Sequence, residues 1–119
     1  MKFEIFTPDG PKTIGYIKKV ENKKVLVKRV SRQRHFHWLF GAWGLQAEAI
    51  PRLREMRVEA VCLETTEDGS ILEAPLDAFQ QKGFVREFPP YGEQIFLPEK
   101  FWTVVRPPQG KAEQLKLWA

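Results

Sequence analysis

Two runs of strand-forming residues, TIGYIKKV (13–20) and KKVLVKRV (23–30), are separated only by Glu21-Asn22. A polar two-residue break between such runs predicts a β-hairpin, because so short a loop can only fold the second strand back on the first. Alternation puts Ile14, Tyr16 and Val20 on one face of the first strand, and Val25 and Val27 on one face of the second. KFEIF (2–6) also alternates and runs into the turn signal Pro8-Asp9-Gly10. Strands over 2–6, 12–20 and 23–31 are therefore expected to form a meander.

Beyond residue 44 the hydrophobic period changes. Leu45, Ala49, Ile50, Leu53 and Met56 fall at helical spacing, with Glu48, Arg52 and Glu55 on the opposite face. Pro51 fits a helix of 47–57 only if it lies in the first turn, where no backbone bond is lost. VEAVCLETT (58–66) is apolar on both faces, as in a central strand, and Glu67-Asp68-Gly69-Ser70 turns it into ILEA (71–74). Leu76–Lys82 reads as a short helix, with Gly83 expected to supply a left-handed cap. FVREF (84–88), just before Pro89-Pro90, is a short strand candidate, as are QIFL (94–97) and FWTVV (101–105) between that pair and Pro107-Pro108. The expected architecture is one α+β domain over 1–108, with 109–119 as a flexible tail. Its mostly antiparallel sheet carries a basic N-terminal hairpin and two short helices, 47–57 over one face and 76–82 at an edge. A small β-barrel-like fold with helical cover is the alternative.

A chain of 119 residues can bury a core without staples. Cys62, alone and inside AVCL, reads as a small buried hydrophobe with an inert thiol. No apolar run has membrane-spanning length and the N-terminal residues do not resemble a secretory signal, so a reducing cytoplasm is expected.

The charge is uneven. Residues 1–37 hold ten Lys/Arg against three Asp/Glu, and residues 38–119 hold nine against twelve. Basic character peaks in KKVLVKRVSRQRHFHWLFGAW (23–43), which ends in a dense aromatic cluster. Cations for phosphate beside rings for bases are the components of a single-stranded nucleic-acid surface. The expected phosphate contacts are Lys18, Lys19, Lys23, Lys24, Lys28, Arg29, Arg32 and Arg34. His35, Phe36, His37, Trp38 and Trp43 are the stacking or edge contacts. The competing reading makes Phe36, Trp38 and Phe40 core side chains and the lysines a solvated face.

Evidence for catalysis is thin. His35 and His37 form an H-x-H without the partners of a structural zinc site, and no P-loop, dinucleotide fingerprint or nucleophile elbow is present. No catalytic residue, metal or cofactor is expected. The leading expectation is a small non-enzymatic nucleic-acid-binding protein, DNA or RNA, acting as an accessory factor to a larger complex. A protein-interaction module, using the proline-flanked segment and Trp118, is the second. A metal-dependent nuclease built on Glu64, Glu67, Asp68, Glu73 and Asp77 is the third.

Overall fold

The computed structural model describes residues 1–31 and 44–108. Strands β1 (Lys2–Thr7), β2 (Gly10–Val20) and β3 (Lys23–Val30) run in antiparallel succession. Glu21 and Asn22 both take positive φ, 50° and 66°, which is the backbone a two-residue hairpin turn needs to match the twist of its strands. β4 (Gly44–Gln46) and helix α1 (Ala49–Glu55) come next. α1 has Glu48 as its N-cap and holds Pro51 in its first turn. β5 (Ala60–Thr65) then pairs with β3 in parallel, and β6 (Ile71–Pro75) returns antiparallel beside it. After α2 (Ala78–Lys82) come β7 (Phe84–Glu87), β8 (Glu93–Phe96) and β9 (Thr103–Arg106).

The result is two open sheets, β1-β2-β3-β5-β6-β9 and β4-β8-β7. Neither closes, so the barrel alternative is not what forms. The described residues are mostly strand with two short α-helices, and among them no helix is long and apolar enough to cross a membrane.

Parity decides which side chains are buried. On β3 the even positions Leu26, Lys28 and Val30 face the core, where Leu26 meets Val61 and Leu63 of β5 and Leu53 of α1 in one cluster. On β2 the expected face of Ile14, Tyr16 and Val20 does not form. A bulge opposite Phe3 and Glu4 shifts the register, so Ile14 and Ile17 point inward while Tyr16 and Val20 point out. Beyond the helices, Phe79 of α2 meets Trp102 edge to face, 5.7 Å between centroids, and the indole N–H of Trp102 donates to the Leu97 carbonyl at 3.0 Å.

Gly83 is not left-handed. Its φ and ψ are −80° and 165°, extended backbone open to any residue. Glycine is required there by space: a Cβ would lie 2.3 Å from the Phe79 carbonyl oxygen and 2.6 Å from Ile95 Cγ2. The chain turns from α2 into β7 directly under β8, and a side chain at that point has nowhere to go.

Candidate nucleic-acid interface

Of the thirteen residues read from the sequence as contacts, the described part of the chain contains Lys18, Lys19, Lys23, Lys24, Lys28 and Arg29. Arg32, Arg34, His35, Phe36, His37, Trp38 and Trp43 lie outside the described residues, as do Phe40 and Trp118.

Lys28 is not a phosphate contact. It is 4% exposed, and its Nζ donates to the Gly44 carbonyl at 2.8 Å. That carbonyl lies on the edge of β4 that faces away from β8, where a buried acceptor would otherwise be costly. The ammonium thus ties the small sheet to the large one. Burial pushes its pKa down to about 8.

The other cations of the hairpin divide by face. Lys23 and Arg29 project from the face of the large sheet opposite α1. Lys23 bonds Glu73 at 2.9 Å, which raises its pKa, and Arg29 sits 3.6 Å from Glu64 while its side chain stays 72% exposed. Lys24, on the helix side, donates to the Met56 carbonyl at the end of α1 (3.0 Å), a favourable place for a cation. Lys18 and Lys19 are exposed, and Lys19 lies directly across from Lys24. Like charges in cross-strand register repel, and an anion between them relieves that repulsion.

Two aromatic residues that the sequence reading did not select complete the surface. Phe6 is 81% exposed and Tyr16 46% exposed. β1 alternates regularly, with Phe3 and Ile5 buried and Lys2, Glu4 and Phe6 outward. Tyr16 lies across from Lys2 on β1 and from Val27 on β3, and Lys18 follows it on the same face. The β1–β2–β3 part of this face therefore presents Phe6 and Tyr16 among Lys2, Lys18 and Arg29, with Glu4 as a carboxylate beside them. Plain alternation places Tyr16 on one face with Ile14, because a bulge has no signature in it.

Toward β5 and β6 the same face turns apolar and ion-paired. Val25, Ala60 and Cys62 are buried together. Cys62 lies opposite Glu73, its thiol donates to that carboxylate at 3.6 Å, and burial with the adjacent charge pushes its pKa up to about 12. A group held protonated in this way is a poor nucleophile.

The carboxylates of the nuclease reading are each engaged separately. Glu64 meets Arg29, Glu73 meets Lys23 and Cys62, and Asp77 meets Arg54 at 2.8 Å. Asp68 accepts from Thr65 and from the Ser70 backbone inside the turn, and Glu67 accepts from Ser31. Among the described residues no three His, Cys, Asp or Glu side chains gather as a metal site would require.

Comparison of the chain with protein-family models, with curated proteins and with solved structures found no match. The functional reading therefore rests on these residues.

Proposed function

We propose that this chain is a small non-enzymatic nucleic-acid-binding protein, an accessory factor that contacts its ligand through the outer face of β1–β2–β3. The observation that carries the reading is Tyr16: an exposed ring on an open stretch of sheet, with Lys2 across from it and Lys18 two residues on. A ring on a sheet face stacks on a base, and flanking ammonium groups meet the phosphates on either side. Phe6 offers a second platform, and Arg29 extends the positive margin on the same face. Arg32, Arg34, His35, Phe36, His37, Trp38 and Trp43 enter the proposal through their sequence alone, which continues the basic run from the end of β3.

The test is binding of fluorescent DNA and RNA oligonucleotides across a salt series. Each phosphate contact adds roughly 0.7 to the slope of log affinity against log salt for single strands, so Lys2→Ala and Lys18→Ala should flatten it by about that much each. Tyr16→Ala should weaken binding by about 1–3 kcal/mol and leave the slope alone, with Tyr16→Phe close to wild type. Absence of binding to any oligonucleotide at low salt would refute the proposal.

A further inference from the structure

Among the described residues β7 is an open edge of the small sheet, and all four of its residues are exposed, Phe84 at 41% and Val85 at 54%. Its backbone phase follows from two bonds that flank it. The Phe88 N–H donates to the Gly92 carbonyl at 2.9 Å, and the Ala47 N–H donates to the Glu93 carbonyl at 3.0 Å. Antiparallel bonds recur every second residue, so Phe84 and Arg86 direct their N–H and C=O groups toward β8. Val85 and Glu87 direct theirs to the open side.

We propose that this edge pairs with β7 of a second copy of the chain, joining two small sheets into one across a two-fold axis. Such an axis must keep paired side chains on the same face, which leaves two registers for so short a strand. Centring on Arg86 sets one guanidinium directly against another, an unfavourable cross-strand pair. Centring on Val85 makes the outward N–H and C=O of each Val85 bond their counterparts, with Val85 against Val85 of the partner subunit. The same register puts Phe84 opposite Arg86 of the partner subunit, twice. That pairing suits the strand's chemistry, since within one chain the Arg86 guanidinium already lies over the Phe84 ring, 5.5 Å from its centroid. The charge pattern therefore selects one register, and self-complementarity of this kind is what a second copy offers and an arbitrary strand does not.

The other edges are less suited. β1 is an edge strand carrying the charged Lys2 and Glu4 on its exposed face, and β9 runs into Pro107-Pro108, which donate no backbone hydrogen bond. The paired edge is short, so the association is of the concentration-dependent class. It leaves the Tyr16 face untouched and does not rest on the nucleic-acid reading.

The experiment is sedimentation of the full chain from low micromolar to near-millimolar concentration, with thermal melting alongside. The expected mass rises from 13.9 kDa toward twice that value. Val85→Lys, which sets like charges on the axis at an exposed position, should stay monomeric with an unchanged melting temperature. Val85→Cys should form a disulfide-linked dimer on mild oxidation and Arg86→Cys should not. A wild-type chain that remains monomeric throughout would overturn the proposal. So would dimerisation that survives Val85→Lys, or cross-linking through Arg86→Cys in place of Val85→Cys.

Discussion

Replacing Lys28 by Met removes a charge from the core while keeping most of the side-chain volume, and the effect should depend on pH in a calculable way. In the unfolded chain Lys28 holds its proton up to about 10.5, and in the folded chain up to about 8. Below both values the burial cost of the ammonium is fully felt, on the order of 3 kcal/mol from a shift of this size. Between them the unfolded state binds more protons, so this lysine's contribution becomes more favourable as pH rises. From pH 7 to pH 9 the relief is about 1 kcal/mol. Lys28→Met has no such relief, and it leaves the Gly44 carbonyl without the Lys28 donor, at about 1–3 kcal/mol. At pH 7 the lost cost and the lost bond nearly offset each other. By pH 9 wild type should have gained about 1 kcal/mol on the variant. Urea unfolding at the two pH values, followed by Trp fluorescence, reads this difference of differences. Cys62 titrates alike in both proteins and drops out. A stability gap between wild type and Lys28→Met that does not change with pH would refute the buried, proton-losing ammonium.

Gly83→Ala should destabilise by about 1–3 kcal/mol through overpacking against Phe79 and Ile95, and Gly83→Asn should be no milder. A mild Gly83→Asn would point back to a left-handed cap, and chemical denaturation decides between them. Cys62 should react slowly with thiol reagents in the native protein at neutral pH. Cys62→Ser should cost less than 1 kcal/mol or so, since the hydroxyl inherits the bond to Glu73; a large loss in melting temperature would show that the thiol is held by packing alone.

What could be read from the chain was whatever is decided locally. The Glu21-Asn22 hairpin, the Glu67–Ser70 turn and both helices announce themselves through turn residues and spacing, and they form close to where they were expected. The misreadings share a cause: each depends on a contact between distant segments. β3 is apolar at both parities, so alternation alone did not show that Lys28, not Arg29, faces the core; that follows only once β5 and β4 are in place. The bulge that turns Tyr16 outward is set by pairing with β1. Gly83 has two physical reasons to be glycine, backbone angle or space, and the letter is the same for both. Cys62, not Glu64, meets Glu73, because the register of the hairpin is fixed by its pairing and not by the turn residues alone.

The parallel contact between β3 and β5 divides the large sheet in a further sense. On one side lies β1–β2–β3, and on the other β5–β6, each closed by a short turn and able to zip up from its own neighbours in the chain. Their seam, Val25 to Val30 against Ala60 to Thr65, joins segments that are remote in sequence. The entropy of closing the intervening loop must be lost before any of that pairing is gained. Folding is therefore a matter of two ribbons waiting to meet. The seam, where Leu26 and Val61 lie side by side, is expected to form after both hairpins, as is the equally remote pairing of β6 with β9.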